Sequence, residues 1–236
     1  MADFTLNLNS LKNDANDNSD EVNLRRCVYL VQSGEGSLEY LLKYGFSTDP
    51  SVVTTHKLRA LKCIFSICTE EQLAKVTGKS VDFIKQHMKT LVYLSRLEMM
   101  NLPYTLQSLE QCSMTSLVES VWKVGKQTCE GVVLTRDLCT EYKIWSPNQW
   151  AAILDKMISM SMITDLTQTL IILNSQPHIW NLPQFLQAWN LVLQNPFMRI
   201  VPPANKEQKE ECQQSIKLIH FCPTATDLKL DILGEI

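Results

Sequence analysis

Eight cysteines and four histidines are the residues in this sequence that could perform nucleophilic or metal chemistry. The cysteines are Cys27, Cys63, Cys68, Cys112, Cys129, Cys139, Cys212 and Cys222. The histidines are His56, His87, His178 and His220. A thiol enzyme needs an activated cysteine, a base and a group that orients the base. No cysteine here stands in a recognisable local signature for that task. No Cys-x-x-Cys pair occurs, which argues against a zinc ribbon or a dithiol redox site. Cys212, His220 and Cys222 come nearest to ligand spacing, since positions 212 and 220 lie about two turns apart on a helix. No fourth ligand accompanies them, so core cysteines and a half-buried histidine are the expected reading. Glu70-Glu71 and Glu210-Glu211 suit helix first turns, where negative charge complements the macrodipole. Gly34-Glu35-Gly36 is followed by Glu39 where a dinucleotide fingerprint needs its third glycine. These residues predict no catalytic site, no cofactor and no metal. A cysteine-dependent enzyme is the alternative they leave.

Binding chemistry has two further candidates. Residues 57–99 carry Lys57, Arg59, Lys62, Lys75, Lys79, Lys85, Lys89 and Arg96 against Glu70, Glu71, Asp82 and Glu98. Lys85 and Lys89 are spaced i,i+4 and share one helix face. A solvated face is expected; a polyanion-binding face is the alternative, without the aromatic interleaving that nucleic-acid binding uses. The formal net charge of −3 gives no global attraction to nucleic acid or anionic membrane. The tryptophans Trp122, Trp145, Trp150, Trp180 and Trp189 suit helix-packing anchors. Trp180 falls in an expected loop, where an aromatic side chain can anchor a partner. Candidate partner contacts are therefore Trp180, Trp189, Phe197, Lys85 and Lys89.

The elements that position these residues read as helices. The 236 residues hold 32 Leu and only 7 Gly. Leu keeps most of its rotamer freedom in a helix, whereas Gly loses the most backbone freedom there. Residues 1–21 are dense in Asn and Asp, which compete with the backbone for hydrogen bonds, and predict a disordered arm. From residue 22 onward helix signals recur at short intervals. Val22–Gln32 opens the series. Leu38–Tyr44 follows, with Gly45 at the C′ stop. Pro50 begins a segment running to Cys68. Thr69-Glu70-Glu71-Gln72 is a capping box for a helix that stops at Gly78. Ser80 caps a helix to about Met99, which Pro103 terminates. Thr105–Gln111 is short. Ser116 with Glu119 predicts a second capping box, leading a helix that ends near Gly125. Val132–Ile144 is next. Ser146-Pro147-Asn148-Gln149 places a cap residue, an N1 proline and an N3 glutamine in register. Thr164–Leu173 follows, then a helix opened by Pro183 and ended at Asn195-Pro196-Phe197. Pro202-Pro203 breaks the chain before an amphipathic Asn205–Phe221, stopped by Pro223. A last segment, 227–236, closes the sequence.

From Leu166 to Met198 the chain has no Lys, Arg, Asp or Glu. Its Asn, Gln and Pro residues exclude a membrane span, which needs about 20 predominantly apolar residues. Two buried helices are expected, with one face available to another protein. The sequence lacks a secretory signal and an N-glycosylation site, and its cysteines suit a reducing compartment, the cytoplasm or nucleus. Short connections make neighbouring helices antiparallel. The expected fold is all-α: helix hairpins in an irregular α-solenoid over residues 22–236, with a compact helical bundle as the alternative.

Three stretches carry a family resemblance. They are His56-Lys57-Leu58-Arg59-Ala60-Leu61-Lys62-Cys63 within Val53–Cys68; Leu182-Pro183-Gln184-Phe185, Ala188-Trp189 and Asn195-Pro196-Phe197; and Cys222-Pro223 with Asp227-Leu228-Lys229-Leu230. Together they resemble the C-terminal helical region of the Rod (rough deal) kinetochore-associated family, relatives of Sec39-type tether subunits. The resemblance implies a non-enzymatic helical scaffold that works with Zwilch and a protein usually called ZW-ten. It implies residence at kinetochores and the spindle in mitosis, support of the spindle assembly checkpoint, and recruitment of dynein. A Sec39-like role in vesicle tethering is the alternative within the resemblance. It further implies that this chain is a segment of a longer helical array or a short form of one. No small-molecule substrate and no specific nucleic acid follow from it.

Overall fold

The computed structural model describes residues 35–49, 51–200 and 205–223. The expected arm at 1–21, the helix Val22–Gln32, the Pro202-Pro203 break and the segment 227–236 lie outside them. Among the described residues the structure is all-α, with eleven α-helices, two short 3-10 turns and no strand. The chain divides into two compact units, Met1–Glu110 and Gln111–Ile236.

In the first unit α1 (Glu35–Gly45) packs on α2 (Thr54–Ile67), and α2 and α3 (Glu70–Thr77) pack on α4 (Val81–Met99). Leu58, Leu61 and Ile64 of α2 meet Leu73 of α3 and Ile84, Met88 and Leu91 of α4 in one core. Helical spacing on α2 and α4 is what turns these residues to one side. Leu106 of α5 (Leu106–Gln111) lies against the same core.

In the second unit α6 (Met114–Gly125) and α7 (Cys129–Glu141) form a hairpin. Helix α8 (Pro147–Ser159) packs on α7, on α9 (Ile163–Leu173) and on α10 (Pro183–Met198). Trp150, Ile153, Leu154 and Met157 of α8 and Phe185, Ala188, Trp189 and Leu193 of α10 are almost wholly buried. Helix α11 (Lys206–Leu218) packs on α10, where the Ser215 hydroxyl donates to the Leu193 carbonyl at 2.8 Å. Arg136 of α7 is buried, donates twice to Asp137 Oδ1 and reaches Asp165 Oδ1 of α9 at 3.2 Å. The principal packings all join helices one or two positions apart in the chain, as a hairpin series predicts.

Several helix starts stand where their capping residues put them. The Thr69–Gln72 box is complete in both directions, and the Ser80 hydroxyl accepts the Phe83 amide. Asn205 and Gln208 form a second complete box. The box expected at Ser116 and Glu119 does not form. Ser113 already has extended backbone at the N-cap, so Ser116 lies inside α6. Thr128 caps α7, which starts at Cys129, three residues before the expected start at Val132. Ser146 and Pro147 do open α8, but the Ser146 side chain makes no cap hydrogen bond. The Pro50 segment becomes helical only at Thr54, and α9 starts one residue before Thr164. Helix α10 runs through Pro196 to Met198. One lost amide bond does not stop a helix whose Val192 and Leu193 are buried.

Helix ends use glycine differently from the expectation. Among the described glycines only Gly78 takes the left-handed conformation, at φ 63°. Gly45 is not a left-handed stop. It is the last residue of α1, and a Cβ there would sit 2.7 Å from Leu61 Cδ2. Gly125 likewise closes α6 and lies against Gly131 of α7, where an added Cβ would be 2.3 Å from the Gly125 carbonyl oxygen. The left-handed stops of α4, α7 and α8 are Asn101, Lys143 and Ser161. Each is followed by an apolar residue whose amide closes a 6→1 bond: Leu102 to Leu97, Ile144 to Cys139 and Met162 to Met157, at 2.8–3.0 Å.

Candidate interaction surface

The thiols come first, because a nucleophile would be found among them. Cys63, Cys139, Cys212 and Cys222 are buried, Cys68 and Cys112 are half-buried, and Cys129 is exposed. Burial pushes the Cys139 thiol up to about 12 and also raises Cys68 and Cys112. A catalytic thiol needs the opposite shift, toward the thiolate. Among the described residues no group of three or more His, Cys, Asp or Glu could hold a metal ion. Cys212 and Cys222 are buried while His220 is exposed.

The basic stretch is drawn into contacts within the first unit. Lys85 of α4 pairs with Glu70 at the start of α3 at 2.6 Å. Lys57 donates to the Asp49 carbonyl at 3.2 Å. Lys79 lies over the Phe83 ring, 4.4 Å from its centre, and 5.6 Å from that of Phe46. His87 stacks on Phe46 at 4.9 Å and on Phe83 at 6.3 Å, with Nε2 3.4 Å from the Gly45 carbonyl. Burial holds His87 below its ordinary value, partly offset by that carbonyl. The i,i+4 spacing of Phe83 and His87 on α4 was a readable signal for this cluster; Phe46 arrives from the α1–α2 connection and was not. Lys89 is half-buried on the same helix.

The aromatic candidates lie in the second unit. Trp189 is fully buried and packs edge-on to Phe185. Trp180 is half-buried, and its Nε1 donates at 3.1 Å to the Leu173 carbonyl at the end of α9, which also accepts the Gln176 amide. Phe197 is half-buried in the last turn of α10. The exposed apolar residues are others. Ile171 and Ile172 on α9, Leu186 and Met198 on α10, and Ile216 and Phe221 further on all present substantial surface to solvent. Asn174 Nδ2 donates to the Phe221 carbonyl, which brings Phe221 beside the end of α9 that carries Ile171 and Ile172. Ile171, Ile172, Leu186 and Met198 expose apolar surface on charge-free sequence, which is suited to bind protein, and Phe221 adds to the end of α9 from outside that stretch. These residues were missed because helical spacing marks the buried face and leaves outward apolar residues without a signal of their own. No helix among the described residues is long and apolar enough to cross a membrane.

Comparison with known proteins bears on what this surface serves. A family model described as the Rough deal protein C-terminal region matches residues 3–234. Kinetochore-associated protein 1 of Homo sapiens is 28% identical over 220 residues, covering 89% of this chain and 10% of that protein. Kinetochore-associated protein 1 of Mus musculus is 28% identical over 222 residues, covering 91% of this chain and 10% of that protein. The chain thus spans about a tenth of the length of the curated relatives it matches. With capped helices in series, thiols raised by burial and a family match along nearly its whole length, the chain belongs to the Rough deal protein C-terminal region family.

Proposed function

We propose that this chain is a non-enzymatic helical interaction module of a kinetochore assembly, built as an irregular α-solenoid. The observation that carries the reading is the 28% identity running over about nine-tenths of the chain to proteins named for kinetochore association. The structure supports it with exposed apolar side chains on α9 and α10, within the charge-free stretch 166–198. In this reading Ile171, Ile172 and Phe221, with the half-buried Trp180 and Phe197, meet partner subunits. Lys85 and Lys89 add contacts from the first unit. Zwilch- and ZW-ten-like proteins are the partners by resemblance, and checkpoint signalling and dynein recruitment are the outcomes. The chain resides in cytoplasm and nucleus and concentrates at kinetochores and the spindle in mitosis.

The test is affinity purification of the tagged chain from mitotically arrested cells, with imaging of the same tag. Enrichment at kinetochores and recovery of Zwilch and ZW-ten are expected. A folded chain that is diffuse in mitosis and recovers neither protein overturns the reading.

A further inference from the structure

We propose that Ser146 is a phosphorylation site for a proline-directed serine/threonine kinase, and that the N-terminus of α8 together with His178 receives the phosphate. Of the 9 prolines in the chain only Pro147 follows a serine or threonine, so the minimal determinant of such kinases occurs once. Ser146 is exposed, and its backbone is extended, at φ −66° and ψ 121°. Both features suit a hydroxyl presented to an enzyme. That hydroxyl is also unoccupied. At the N-caps of α3, α4 and α7 the side chains of Thr69, Ser80 and Thr128 each accept a backbone amide, whereas Ser146 accepts none.

The surroundings then suit the product. The first turn of α8 holds no acidic residue to repel a phosphate. Pro147 has no amide hydrogen, but the amides that follow it in the first turn have no acceptor within the helix. Gln149 Nε2 is a buried donor with no hydrogen-bond partner, three residues along the chain from Ser146. The His178 ring nitrogen lies 3.0 Å from the Trp145 carbonyl, one residue before Ser146, and Lys143 is exposed in the same connection. A phosphoserine at a helix N-cap meets the positive end of the macrodipole and is stabilising there.

In the transfer the Ser146 Oγ attacks the γ-phosphorus of ATP. The Oγ–P bond forms as the bond to the β–γ bridging oxygen breaks. ADP leaves with that electron pair, and the hydroxyl proton passes to the base of the kinase.

The folded full chain is incubated with ATP and a purified proline-directed kinase, and intact mass and phosphopeptides are read. Expected are one phosphoryl group per chain, at Ser146, none in Ser146→Ala, and at least a tenfold slower transfer in Pro147→Ala. Pro147→Ala keeps the hydroxyl and checks that loss in Ser146→Ala is not loss of fold. The phosphorylated chain is expected to melt about 2 °C higher and to shift the His178 ring resonances. No transfer to the folded chain, or transfer that Ser146→Ala leaves intact, overturns the site. A phosphorylated chain that melts lower, with His178 unmoved, overturns the proposed receptor.

Discussion

A methyl group added to Gly131 would lie 2.3 Å from the Gly125 carbonyl oxygen and 2.4 Å from the Gly125 Cα. Backbone of a neighbouring helix cannot yield as a side-chain tip can. Gly131→Ala is therefore expected to destabilise the chain by about 3 kcal/mol, read by urea denaturation. His87 supplies a pH dependence. It stacks on Phe46 and Phe83, with Lys79, Lys57 and Glu110 as the charges acting on it. Burial lowers its proton affinity in the folded chain, while the unfolded chain takes the proton near 6.5. The unfolded state thus binds more protons, and stability falls as pH drops through and below 6.5. Melting temperature measured against pH should show this slope, and His87→Phe, which can still stack, should flatten it. Neither feature was fully legible. Gly125 at a helix end looks like a stop, because its close contact with Gly131 arises only when α6 folds back on α7.

Caps and stops are where sequence and structure can be compared helix by helix. Thr69 and Ser80 were legible as cap residues, Thr69 with its box partner Gln72 three positions on. The Asn205–Gln208 box has the same spacing but is expected only as the start of an amphipathic helix. Ser116 and Glu119 carry the same pattern without forming it, since the chain had already turned helical after Ser113. Thr128 escaped notice because Gly131, whose amide its hydroxyl accepts, does not look like a helix residue. Thr128→Ala should cost about 1 kcal/mol, again by urea denaturation. The left-handed stop at Lys143 gives a change of opposite sign. Its φ of 55° strains any residue with a Cβ, so Lys143→Gly should stabilise by about 0.5–1 kcal/mol. A scan of the melting transition checks the direction. The signal for these stops was present in Leu102, Ile144 and Met162, the apolar residue after each stop. A search for glycine passes over it.

At the scale of the whole chain, the all-α class was legible in the excess of Leu over Gly and in the rhythm of caps and prolines. The division at Glu110 was not, because α5 connects the units without a break in composition. Function at this scale rests on surface side chains whose loss leaves the core alone. Ile171 and Ile172 are 47% and 36% exposed, so Ile171→Glu with Ile172→Glu should leave the melting temperature within about 1 °C of the parent. Recovery of partner subunits from mitotic extracts should fall at least tenfold. The charge-free stretch also governs how such an interface can be mapped. No lysine occurs between Lys156 and Lys206, and trypsin has no site between Lys156 and Arg199. Amine-directed cross-linkers therefore pass over α9 and α10, and both helices travel in one long tryptic peptide. A photo-activated cross-linker or peptic hydrogen-exchange mapping is the approach this sequence demands.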